Sequence, residues 1–260
     1  GQAGDALTDA DYNVAIGVSA LGADTLGSRA TALGFATLAN QNFSSATDNY
    51  NVAVGFQAGN AVTTGVENVL IGGLAGDALT TGSGNVALGT EALSAEDAHG
   101  KNTAIGHQAL LVQNAGADAY NVAVGFQSGK AVTTGTQNTF VGAFAGDGTD
   151  DGIENTAMGY QALSANAGQS NTAIGRQSGL VVTGNNNTLL GKSSGVNLTS
   201  GSNNLFLGVD AGFTGSPGGN ITAGSNAIVL GDENIGDAYI QVAFTVASDE
   251  RDKTEFTDLD

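Results

Sequence analysis

The sequence predicts an all-β fold, a parallel β-solenoid or β-roll of about twelve coils of ~17 residues each. Three observations predict it. The phrase Asn-x-Ala-aliphatic-Gly recurs along the chain and is cleanest as Asn121-Val122-Ala123-Val124-Gly125. Its closing glycines are mostly 17 residues apart, through Gly55, Gly72, Gly89 and Gly106 and again through Gly125, Gly142 and Gly159. Residues 51–120 and 121–190 are near copies of each other, which a fold whose repeats touch only their neighbours accepts without a clash.

Taken in order, residues 1–12 are a polar, acidic lead-in. Residues 13–231 hold the repeats, with the phrase opening at Asn13, Asn51, Asn68, Asn85, Asn102, Asn121, Asn138, Asn155, Asn171, Asn187 and Asn204. Ala30 to Gly34 is a copy without the Asn, and Asn226 to Gly231 is one residue longer. Within a regular coil a short strand such as Asn51-Val-Ala-Val54 ends at a glycine corner. A small pair follows (Ala58-Gly59), then a second apolar piece (Ala61-Val62-Thr63-Thr64), and Gly65 turns the chain to the next Asn. The Val, Ile, Leu and Thr content with period-two character favours strand over helix. Short strands of four or five residues joined by tight turns make one coil. Three longer connections, Phe35 to Tyr50, Leu110 to Tyr120 and Val209 to Ser225 with Pro217, are surface-loop places where binding would sit. Residues 232–247 carry a terminal strand over Ala238 to Ala247, and residues 248–260 open a different segment.

The repeated Asn has a structural reading. In a stacked coil its amide can donate to one rung and accept from another, pairing turn groups that would otherwise be buried alone. The competing reading is that the Asn row contacts a ligand. Phe56, Leu74, Phe126, Phe144 and Tyr160 recur just after the corner glycine as an apolar stripe. A thin coil with so few large side chains buries little, so the stripe calls for a cover from other chains.

Composition narrows the function. There are 25 acidic against 7 basic residues, net charge -18, so nucleic acid is excluded as a partner. The acidity serves solubility or cation binding. No apolar run is long enough to span a bilayer, and no Cys is present for a disulfide framework or thiolate chemistry. Gly1 in place of Met reads as a fragment of a longer polypeptide. No cofactor is expected. Asp147, Asp150 and Asp151, with Glu154, are weak candidates for Ca²⁺ through carboxylate and carbonyl oxygens, against a solvated loop. His99 and His107, eight apart, have only Glu96 and Asp97 near them in sequence and give no metal or general-base pattern. Tyr50 and Tyr120 hold equivalent places, which argues for packing. The Thr-Thr-Gly turns suggest a threonine array for ice, but later coils break it at Val182-Thr183-Gly184.

Ser248-Asp-Glu-Arg-Asp-Lys253, after a β-stranded stretch, resembles the opening of the endosialidase-type intramolecular chaperone domain at the C-terminus of bacteriophage tail fibres and tailspikes. The resemblance implies assembly of three chains in register, then self-cleavage between Ala247 and Ser248. Ser248 would be the nucleophile and Lys253 its general base. The chain ends within that domain, so the cleavage concerns a longer precursor and the chain itself is expected to be no enzyme. The repeats are also similar to the β-roll heads of trimeric autotransporter adhesins, whose coil is shorter. Together these imply a trimeric tail-fibre or tailspike shaft in the virion, partnered by itself, by other tail proteins and by a host-surface glycan or protein receptor. The alternative is a bacterial surface adhesin head. A polysaccharide-degrading tailspike would need paired carboxylates across an inter-subunit groove, and no repeated pair stands in the coils.

Overall fold

The structure, a computed structural model, describes residues 1–237. The strand expected over 238–247 and the Ser248 and Lys253 signature lie outside the described residues. Thirteen short strands form one parallel sheet in strict chain order, interrupted only by a two-stranded side pair, Gly27–Ser28 with Thr47–Asp48. Val52–Val54, Val69–Ile71 and Val86–Leu88 stack residue on residue, Ala53 opposite Leu70 and Leu70 opposite Ala87. This is a parallel β-solenoid. At ~4.8 Å per coil the stack runs roughly 60 Å.

Apart from the side pair, strand forms only within the repeated phrase, three residues at a time. The second apolar piece, Ala61 to Thr64, forms no strand; it is a turn that is still bonded coil to coil, Thr63 N–H donating to Thr80 O at 2.9 Å. Backbone rungs run round the whole circuit: Leu74 N–H donates to Phe56 O and Gly59 N–H to Ala75 O, both at 2.9 Å. Those rungs hold residues in a costly conformation. Tyr50, Glu67, Lys101, Tyr120, Gln137 and Glu154, each just before the repeated Asn, have φ between 52 and 65°. Left-handed backbone costs an L-residue of order 1–2 kcal/mol. An inter-coil bond offsets it at Glu67, Lys101, Gln137 and Glu154, as where Gln137 N–H meets Ala119 O at 2.7 Å. At the corner, Gly125 has φ +141° and a Cβ there would lie 2.5 Å from Gly142 O, so only glycine lets the coils close up.

The core is a narrow column filled by two positions that trade volume. Where the middle strand residue is Ala, as at Ala87, Ala104 and Ala157, a buried Leu stands six residues on, at Leu93, Leu110 and Leu163. Where it is large, as at Leu70, Phe140, Leu189 and Phe206, glycine takes that place. Three further coils, Ala53 with Gly59, Ala123 with Gly129 and Ala173 with Gly179, borrow bulk from the coils on either side. A Cβ on Gly129 would meet Leu110 Cδ2 at 2.9 Å and Phe140 Cδ2 at 3.0 Å.

Candidate functional site

The repeated asparagines are buried, Asn51, Asn68, Asn85, Asn121, Asn138, Asn155, Asn171 and Asn187 completely, and only Asn13 at the first coil is part-exposed. Each side chain closes its own coil and starts the next. Asn121 Nδ2 donates to Gly135 O at 2.8 Å, at the end of its circuit, and Asn121 Oδ1 accepts from Asn138 N at 2.9 Å on the following rung. The pattern repeats at Asn51, Asn138 and Asn187. Donation goes to a turn carbonyl, and several side chains also donate to the amide oxygen of the preceding Asn, Asn68 Nδ2 to Asn51 Oδ1 at 3.3 Å and Asn204 Nδ2 to Asn187 Oδ1 at 2.9 Å. Asn204 continues the ladder to Ala227 N at 3.0 Å. Asn102 departs from it: Nδ2 has no partner, because the longer connection after Leu110 displaces the turn it would reach.

That connection and the earlier one hide a feature that sequence reading passed over. In each, a glutamine enters the core and serves the next Asn. Gln41 Oε1 accepts from Asn51 Nδ2 at 2.8 Å, and Gln113 Oε1 from Asn121 Nδ2 at 2.6 Å. Beneath Gln41 lies the buried carboxylate of Asp24, 2.6 Å from Gln41 Nε2. One coil before Gln113 lies buried Glu96. Regular coils carry Val62, Val132 or Val182 in this place.

The outer side of the sheet is a continuous candidate surface. The middle residue of nearly every strand points in, and its neighbours face out with partial or full exposure. They are Val, Thr, Ile, Leu and Met throughout, with Ile16 at 58%, Leu88 at 43%, Leu190 at 46% and Leu230 at 51% exposed. Beside them runs an aromatic column just past the corner glycine. Phe35 stacks on Phe56 at 5.4 Å, and His107, Phe126, Phe144 and Tyr160 follow at 5.3, 5.3 and 5.9 Å between centroids. Tyr50 and Tyr120 are half exposed, not core residues. Each faces a cation one coil back: Arg29, which also pairs with Asp48 at 3.0 Å, and Lys101, paired with Asp118 at 2.5 Å.

Asp147 and Asp150 line an open cleft of about 540 Å³ with Val112, Lys130 and Thr133; Asp151 stays on the exposed turn outside it. Thr133 Oγ1 donates to Asp150 Oδ1. Burial raises the carboxyl of Asp147 above its ordinary range, and the same holds for Asp77, its counterpart in the first block. Three ligand-type side chains converge elsewhere, at Glu96, Asp97 and His99, while His107 belongs to the aromatic column. Among the described residues, no helix is long and apolar enough to cross a membrane.

These features define a parallel β-solenoid closed from within by an asparagine ladder and apolar on its outer sheet face. Comparison of the chain with protein-family models, with curated proteins and with solved structures gives no match.

Proposed function

We propose that this chain is the shaft of a trimeric attachment fibre, of the kind carried on bacteriophage tails, that serves host-cell recognition. The observation that carries the reading is the outer sheet face, apolar from Val14 to Leu230 and left partly in water by a single chain. Two further copies set parallel and in register would bring like rung against like rung, since all share one period. Closed three-fold association covers such a face without leaving a free edge of it. The Ser248 to Lys253 signature supports the phage assignment over others. In that reading Ser248 Oγ attacks the Ala247 carbonyl in a longer precursor and gives its proton to Lys253, which requires a lowered lysine pKa; the Ala247–Ser248 C–N bond breaks as that proton passes to the leaving amine, and water then hydrolyses the ester. Other tail proteins hold one end of the shaft, and a glycan or protein receptor on the host is met at the surface. The Asn-x-Ala-Ile-Gly form of the phrase at Asn13, Asn102 and Asn171 favours the second reading, a bacterial trimeric adhesin head.

Two measurements test this. In solution at micromolar concentration the expected mass is three times the 25.6 kDa chain, and a monomer overturns the assembly. Expressed with its natural downstream sequence, the chain is expected to yield a product ending at Ala247. A full-length product that Ser248→Ala leaves unchanged moves the assignment to the adhesin.

A further inference from the structure

We propose that Glu96, Asp97 and His99 form a binding site for one divalent transition-metal ion of the zinc type. The three side chains each turn one ligand atom into a space where all lie within 4.8 Å of one another. Glu96 is fully buried, and its Oε2 has no hydrogen-bond partner. His99 Nδ1 is also buried without a partner and sits 3.7 Å from Glu96 Oε1. That is too long for a hydrogen bond. It is close to the roughly 3.3–3.6 Å separating two ligands of one tetrahedral ion at bonds of ~2.0–2.2 Å. A buried carboxylate oxygen with no donor is costly unless it is paired or bound to a cation.

Two internal comparisons separate this site from ordinary packing. At the matching place in the first coil, eleven residues after Asn13 as Glu96 is after Asn85, Asp24 is buried too, but both oxygens are satisfied, by Gly27 N at 3.0 Å and Gln41 Nε2 at 2.6 Å. No His or second acid adjoins it: the next residues are Thr25, Leu26 and Gly27. Glu96 accepts only from His99 N, at 3.1 Å, and Gln113 Nε2 is likewise left without a partner. The duplicated block supplies the second comparison. Ala92 to Ala95 returns as Ala162 to Ala165, and Asn102 to Gly106 as Asn171 to Gly175. Between them the six residues Glu96 to Lys101 are replaced by the five residues Asn166 to Ser170, and Gly168 O accepts from Asn155 Nδ2 where His99 O accepts from Asn85 Nδ2. That coil, one residue shorter, closes with buried Ala167 and without any of the three groups.

The donor set defines the ion. One imidazole nitrogen with two carboxylates suits Zn²⁺, Co²⁺ or Ni²⁺, whereas Ca²⁺ takes oxygen alone. Asp97 is exposed, which leaves a further position open to water. Lys101, the nearby cation, is already engaged by Asp118.

The test is calorimetric titration of the untagged chain with zinc chloride at neutral pH, with Co²⁺ absorption as a second readout of coordination. One ion per chain is expected, with a tetrahedral Co²⁺ spectrum. His99→Gln and Glu96→Gln should each weaken Zn²⁺ by more than the ~10–100-fold that loss of an outer partner costs at such sites. The His99 side chain is only partly buried and its Nδ1 makes no hydrogen bond in the coil, so the circular dichroism and solution mass of His99→Gln should match the parent; should Glu96→Gln misfold, His99→Gln decides alone. No saturable Zn²⁺ binding overturns the proposal. So does binding that His99→Gln leaves unchanged, or equal affinity for Ca²⁺, since both mean adventitious ions on an acidic surface.

Discussion

The ring of Phe140 fills the space that a Cβ on Gly146 would need, 2.7 Å away. Six residues apart in sequence, the two positions divide one volume between them. Where Ala157 takes the first, Leu163 fills the second. Phe140→Ala is therefore expected to cost about 3–5 kcal/mol. Gly146→Leu alone is expected to be destabilising as well, because the Leu collides with the ring. Together they restore part of the loss, and only part, since Gly129 also borrows bulk from Phe140. A double-mutant cycle in urea should show favourable coupling; strict additivity would refute the shared volume.

Asn121→Ala removes a donor to Gly135 O and to Gln113 Oε1 and strands the N–H of Asn138. The expected cost is about 2–4 kcal/mol in equilibrium unfolding. Asn13→Ala, at the exposed first coil, should cost less. Equal effects at the two sites would mean that the ladder contributes nothing through burial.

The ladder, the strand phrase and the period were legible in the sequence because each repeats the same residue at the same place. What was not legible depends on backbone geometry. The sequence gives no sign that Leu163 or Leu93 adopts left-handed backbone, since that is decided by bonds to the coils on either side. Ala61 to Thr64 has strand composition yet turns, because the circuit must close within about 17 residues. Gln113 lies in a segment that reads as a surface loop; its burial depends on an amide eight residues later. Glu96 and His99 meet only because a tight turn folds the carboxylate inward while keeping the imidazole beside it. The apolar stripe after the corner glycine was visible, but the wider apolar face beside it was not, because strand residues read equally well as core.

That face makes its own prediction. Leu88→Glu and Met158→Glu put charges in the middle of the outer sheet without touching the inner column. Each is expected to reduce the proposed trimer to a folded single chain, seen as a threefold fall in mass with unchanged circular dichroism. Retention of the trimer by both variants would place the contact elsewhere.

The response to pH follows from three carboxyls. Desolvation holds Asp77, Asp147 and Glu96 above the ordinary range. Between the ordinary and the raised values the folded chain binds more protons than the unfolded one. Their stabilising contribution is thus present at low pH and is lost as pH rises through the raised range. Asp118 is shifted the other way by its hydrogen bond to Lys101, but it is exposed and adds little. The thermal midpoint is expected to rise as the pH falls from neutral through the raised range of these carboxyls. Asp77→Asn with Asp147→Asn should raise the midpoint at neutral pH and flatten the profile; an unchanged slope would exclude these groups as its cause.

The sharing of bulk between neighbouring coils also sets where this protein can be cut and rejoined. The coil of Gly59 leans on Leu38 below it, and the coil of Gly129 leans on Leu110. Gln41 meets Asn51 just as Gln113 meets Asn121. The lower border of residues 51–120 is therefore chemically the same as the border they offer to residues 121–190. A gene segment of this length can be copied or dropped with every join already fitted, so the molecule's reach can change in whole steps while its cross-section stays the same.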